Sequence, residues 1–113
     1  MAGGRIRRVI IASPYSGGGD LAGNLDYAAR CVCDSLSQGE APIAFHMFLP
    51  QVLDDAIHEQ RQLGMKAGMR WLPSADALVV YQDKGISDGM RREICLAEAL
   101  QVEVEYRELE VGP

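Results

Sequence analysis

Apolar residues fall along the chain in short unbroken runs and in spaced stripes, and the two patterns alternate. Arg8 to Ala12 reads R-V-I-I-A and is ended by Ser13-Pro14, which predicts a strand buried on both faces. Past Gly17-Gly18-Gly19, Leu25, Ala28, Ala29, Val32 and Leu36 recur at three- and four-residue spacing. That spacing marks one face of a helix over roughly Asn24 to Gln38, with Asn24 as its candidate N-cap and Gly39 as its stop. Ala41 to Phe45 reads as a second short strand, and His46 stands just past its carboxyl end. Leu53, Ala56 and Ile57 open a second helix, which continues or restarts past Gly64 through Met65, Met69 and Leu72 until Pro73 stops it. A-L-V-V-Y, Ala77 to Tyr81, is a third buried strand. Met90, Ile94, Ala97 and Leu100 mark a third helix capped by Ser87 or Asp88. Val102, Val104 and Tyr106 alternate with Glu103 and Glu105, the period of a last strand with one wet face.

Strand and helix in strict alternation predict an α/β domain with right-handed crossovers. The expected architecture is a flavodoxin- or Rossmann-like three-layer fold around a short parallel sheet of four strands in the order 2-1-3-4. Ligands of such sheets bind beyond the carboxyl ends of the strands, where the order reverses. Here that point lies between strands one and three, so the loops after Ala12 and Tyr81 form the expected site.

Composition narrows the reading. A chain of 113 residues with 48% hydrophobic content builds one core of ordinary size, so residues 1–113 are read as a single domain. With 16 acidic against 11 basic residues and a net charge of −5, a nucleic-acid polymer is not an expected partner. Arg5, Arg7 and Arg8 read as a solvated flank of the first strand. The chain has no run of 18 apolar residues and no signal-type N-terminus, which predicts no membrane partner and a cytoplasmic location. Cys31, Cys33 and Cys95 lack the paired spacing of a zinc site and are expected to be small buried apolar residues, with no metal and no cofactor.

Two segments carry candidate chemistry. Ser13-Pro14-Tyr15-Ser16-Gly17-Gly18-Gly19 follows a strand and precedes a helix, where backbone amides and a helix start can cradle an anion. It matches neither a Walker A loop nor G-x-G-x-x-G; its plain alternative is a flexible connection. Ser87-Asp88-Gly89-Met90-Arg91-Arg92-Glu93 opens the third helix across the same crevice, with Glu93 about a turn and a half in. Taken alone, Glu93 reads as a surface residue paired with a nearby Arg. Arg61 is a lesser candidate as a phosphate ligand. Trp71, Met65 and Met69 read as core or interface packing.

Ser87-x-Gly89-x-x-x-Glu93 after Ala75-Asp76 and an apolar strand resembles the nucleoside 2-deoxyribosyltransferase family and its nucleoside-monophosphate N-glycosidase relatives. S-P-Y-S-G, P-I-A-F-H-M-F-L-P-Q and I-S-D-G-M-R-R-E-I together resemble a small phage and bacterial domain of unknown function with the same fold. The resemblance implies N-glycosidic bond cleavage or transfer on a nucleoside or nucleotide, through a covalent Glu-sugar intermediate with Glu93 as the catalytic nucleophile. It implies that Ser13, Tyr15, Ser16, Gly17 and Gly18 of the first loop face the substrate. It implies the same of His46, and of Ser87, Gly89 and Met90 at the third helix. It also implies a homodimer or larger homo-oligomer, since the related enzymes complete their sites across subunits. Two departures matter. Where those transferases carry an Asp ahead of the third strand, this chain has Gly68, and their strand-one tyrosine falls near Ile10. Tyr15, Asp54 or Asp55 are the substitutes within reach in the sequence. A nucleotide-binding module without turnover is the alternative expectation.

Overall fold

The computed structural model describes residues 5–14, 21–49, 52–54 and 56–109. Strand β1 (Arg8–Ala12), helix α1 (Leu21–Ser37), strand β2 (Ala41–Ile43), a one-turn helix α2 (Phe45–Phe48) and helix α3 (His58–Trp71) come first. A 3₁₀ turn (Leu72–Ser74) then leads into strand β3 (Ala77–Tyr81), helix α4 (Asp88–Ala99) and strand β4 (Glu103–Arg107). The four strands form one sheet in the order β2-β1-β3-β4, and every pairing is parallel. This is the expected α/β architecture. None of the described helices is long and apolar enough to cross a membrane.

The unbroken apolar runs are explained by a sheet covered on both sides. Val9, Ile11, Ala77, Val79 and Tyr81 pack with Tyr27 and Cys31 of α1. Their neighbours Ile10, Ala12, Leu78 and Val80 point the other way, onto Met90, Ile94 and Ala97 of α4. Alternate side chains of one strand thus feed two cores, which is why β1 and β3 show no polar alternation. β2 is an edge strand of three residues, so Pro42 withholds no amide from a central ladder.

Several local expectations are corrected. Helix α1 begins at Leu21, so Asn24 lies inside it as a buried residue and does not cap it. Its buried face runs through Asn24, Tyr27, Ala28, Cys31 and Ser35, whereas Leu36 is 56% exposed. The face is rotated because polar Ser35 is drawn inward, donating its hydroxyl to Glu40 Oε1 at 2.7 Å. Gly39 does end the helix, at φ 83°, a conformation glycine adopts without steric cost. Strand β2 stops at Ile43, and Phe45 belongs to α2. Cys31 is buried, but Cys33 and Cys95 are exposed.

Nor is Arg7 a solvated residue. Its guanidinium meets Glu40 at 2.9 Å and Glu105 at 2.8 Å. Arg107 holds the same Glu40 carboxylate in bidentate fashion, at 2.8 and 2.6 Å, and Glu105 at 3.0 Å. This network orders the wet face of β4. The Glu40 side chain is 8% exposed, and its bonds to Arg107, Arg7 and Ser35 hold the carboxyl well down, at about 2. Glu40→Ala strips both arginines of a shared acceptor and is expected to lower stability by roughly 3 kcal/mol. A urea melt in which the variant loses less than about 1 kcal/mol would mean that solvent replaces the carboxylate at little cost.

Candidate functional site

Three strand ends, one after another, deliver the polar side chains. Ser13 follows β1, His46 follows β2 within α2, and Ser87 to Gly89 follow β3 at the start of α4. Together with α3 they enclose a cavity of about 440 Å³, within the usual range for a small-molecule site. Of the residues expected to face a ligand, Ser13, His46, Ser87, Gly89, Met90 and Glu93 all line it. Tyr15, Ser16, Gly17 and Gly18 lie outside the described residues, as does Asp55.

The start of α4 is built locally. Ser87, in extended conformation, accepts a hydrogen bond from the Met90 amide at 3.3 Å, and its own amide donates to the Met90 sulfur at 3.4 Å. This cap fixes the first turn and sends Met90 inward, where it is 2% exposed. One turn on from Met90, Glu93 sits at the edge of the helix's buried face, aimed into the cavity. The bland expectation of a surface Glu paired with Arg is therefore corrected. Burial alone pushes the Glu93 carboxyl up to about 7, and no charge or hydrogen bond among the described residues offsets it.

His46 is tuned in the opposite sense. Burial lowers it to about 4, so it is neutral at physiological pH. Its Nε2 lies 2.7 Å from the Ser13 hydroxyl, and Ser13 is itself 5% exposed. A neutral imidazole bonded to a buried hydroxyl serves as a fixed donor or acceptor and not as a cation.

The remaining wall comes from α3, of which sequence reasoning had offered only Arg61 as a ligand. Arg61, Gly64, Met65, Gly68 and Met69 line the cavity, one stripe at three- and four-residue spacing. The repeat G-M-K-A-G-M over residues 64–69 is the signal that could have found it, since paired glycines on a helix face leave room beside them. A Cβ at Gly68 would meet Phe45 at an ordinary 3.8 Å, so the helix could carry a larger residue there. Phe45 also lines the cavity, and its ring lies against Trp71 with centroids 6.3 Å apart at 24°. Trp71 is 59% exposed, so it backs Phe45 from outside and is not core. Asp54 ties down the approach to α3, its amide donating to Gln60 Oε1 at 2.6 Å and its carboxylate accepting from Ala56 at 3.0 Å.

The cavity thus has an apolar wall of Phe45, Leu49, Leu53, Met65 and Met69. Opposite it stand a buried carboxyl group, a neutral histidine and the start of a helix. Asp88 is the second carboxylate on the lining, and it is exposed; no tyrosine is among the described lining residues.

Comparison with known proteins accords with the fold. A family model described as a domain of unknown function (DUF7768) matches residues 7–107. No curated protein matches the chain. Among solved structures, the chain is similar to a 2-deoxyribosyltransferase from the psychrotolerant bacterium Bacillus psychrosaccharolyticus, a biocatalyst for the synthesis of antiviral and antitumoral nucleosides. The two superpose with a TM-score of 0.65 at 16% identity, over 94% of this chain and 77% of the other. At that identity the likeness is one of fold.

Proposed function

The chain belongs to the DUF7768 domain family, and we propose that its cavity takes a nucleoside or nucleotide and that Glu93 attacks the sugar at its N-glycosidic carbon. The observation that carries this reading is the partly buried Glu93, whose carboxyl is desolvated and held at about 7 with no counter-charge among the described residues, at the wall of a cavity of nucleoside size. A carboxyl so placed is poised between acid and carboxylate near neutral pH. As the carboxylate it forms an ester to the anomeric carbon, the glycosidic electron pair leaves with the base, and the base takes a proton from solvent. Water or a second base then attacks the same carbon and releases the carboxylate. The apolar wall around Phe45 suits a flat heterocycle, and the Ser13–His46 pair offers a polar contact to the sugar. The likeness to a nucleoside-processing enzyme supports the same reading.

The test is chemical. Incubation with deoxynucleosides and their monophosphates is expected to release free base and to leave a sugar adduct on the peptide that contains Glu93. Binding without release would favour the second reading, a nucleotide-binding module without turnover. The observation behind that alternative is Gly68 on the cavity wall, which by its spacing ahead of Asp76 falls where the resemblance to the transferases implies an Asp.

Helix α3 has no buried residue, and Leu63 and Trp71 are 60% and 59% exposed. We therefore expect a homodimer or larger homo-oligomer that covers this helix. Light scattering at micromolar concentration checks it, and a monomeric mass would count against it.

A further inference from the structure

We propose that the outer edge of β4 docks β4 of a second copy of this chain, antiparallel about a two-fold axis at Glu105, so that one sheet runs through both copies. This contact is distinct from the one expected over α3. The order β2-β1-β3-β4 leaves an edge at β2 and another at β4, and they are built differently. β2 is three residues long with Pro42 at its centre, the short, proline-bearing form that resists further pairing. β4 is five residues, E-V-E-Y-R, without proline, glycine or lysine to blunt it. The chain leaves β4 on its inner side: the Leu109 amide donates to both carboxylate oxygens of Asp83 at 3.0 Å, and the Leu109 side chain packs on the core beneath α1. Among the described residues, no strand lies beyond β4.

The register follows from backbone direction. The Arg107 carbonyl faces β3, where it accepts from the Gln82 amide at 3.0 Å. Backbone groups alternate in direction along a strand, so those of Glu103 and Glu105 also face β3, and those of Val104 and Tyr106 face the open edge. Antiparallel pairing centred on Glu105 sets Val104 against Tyr106 of the second copy as a hydrogen-bonded pair, and the reverse by symmetry.

The side chains agree with that register. On the α4 face, Tyr106, 49% exposed, gains Val104 of the second copy, an aromatic and β-branched pair of the kind that stabilises sheets. On the other face, exposed Glu103, whose nearest cation is Arg7 at 3.8 Å, stands opposite Arg107 of the second copy. Glu105 meets its own copy, but each carboxylate is already held by Arg7 at 2.8 Å and Arg107 at 3.0 Å. Sliding the pairing two residues one way sets Glu103 against Glu105. Sliding it two residues the other way sets Val104 against Glu108 and runs off the end of the strand.

The experiment traps the register in the full chain. Glu105→Cys and Glu103→Cys are made separately, with exposed Cys33 and Cys95 changed to Ser and buried Cys31 kept. Directly opposed residues of a non-hydrogen-bonded pair have Cα atoms about 4.5 Å apart, which a disulfide spans. The two copies of position 103 stand roughly 13 Å apart along the strand. With diamide as oxidant at micromolar protein, Glu105→Cys is expected to run as a disulfide-linked dimer and Glu103→Cys as a monomer. Tyr106→Pro removes an amide from the open edge and none from the β3 ladder, so it is expected to fold and to halve the mass seen by light scattering. Thermal melts identify any variant that does not fold, in which case the other substitution decides. A folded Glu105→Cys chain that does not cross-link, equal cross-linking at both positions, or an unchanged mass for folded Tyr106→Pro overturns the pairing. Loss of the cross-link when Leu63→Glu is added on α3 would assign the association to that helix and likewise overturn it.

Discussion

Glu93→Gln is expected to slow base release from a deoxynucleotide by at least about 1000-fold, the scale on which removal of a covalent nucleophile acts. The amide keeps the shape of the carboxyl group but is a far poorer nucleophile. The same change leaves the rest of the cavity lining in place, so binding of the deoxynucleotide itself should remain within a few-fold of wild type. Loss of kcat with retained affinity is the signature of a group that acts on the bond and not on ground-state binding. In the wild type, kcat/KM should rise with pH and level off above about 7, as the Glu93 carboxyl ionises. Base release that survives the substitution, or a rate that falls across that range, would remove Glu93 from the role of nucleophile.

A second large effect lies in the pH dependence of stability. Folded Glu93 releases its proton at about 7 against an ordinary 4.5. Between those values the folded chain holds a proton that the unfolded chain has lost, so this group makes stability fall as pH rises through the window. Folded His46 takes its proton at about 4 against an ordinary 6.5, so this group makes stability fall as pH drops from 6.5 toward 4. Each difference corresponds to about 3 kcal/mol at full extent, and the two slopes oppose each other across most of their shared range. The wild type should therefore gain or lose little from the pair between pH 4.5 and 6.5. Glu93→Gln unmasks the histidine: relative to wild type, the variant should grow less stable with acidification. His46→Gln unmasks the carboxyl, and its stability relative to wild type should decline as pH rises from about 4 toward 6.5, the window in which the wild type gains from its neutral histidine. Differences from wild type cancel the contribution of Glu40 and Glu105, whose ion pairs hold both near 2. Urea midpoints measured across this range decide it, and parallel profiles for all three proteins would mean that neither group is desolvated in solution.

How far the chain could be read in advance follows from the range of the forces involved. R-V-I-I-A and A-L-V-V-Y identify β1 and β3 because a strand covered on both faces needs apolar side chains at every position. The Met90, Ile94 and Ala97 stripe of α4 and its Ser87 cap are equally local, decided by helical period and one side chain's reach. The 2-1-3-4 order follows from crossover handedness together with the need to cover both faces of β1 and β3, which requires the order to reverse, and with it comes the general site beyond β1 and β3. Features governed by contacts distant in sequence were not legible. Ser35 turns the face of α1 because of Glu40, which is fixed in turn by Arg107, 67 residues away. Arg7 looked like a solvated flank because its partner Glu105 arrives only when β4 joins the sheet. By itself, then, the sequence determined the layers, the strand order and the edge at which a ligand site opens, since periodicity and chain handedness act residue by residue. Tertiary structure alone decided that α3 brings its glycine stripe across that edge, that Ser13 meets His46, and that Glu93 stands partly buried with no counter-charge among the described residues. Desolvation belongs to no single residue; it depends on which other elements exclude water from it, and no pattern along the chain encodes that.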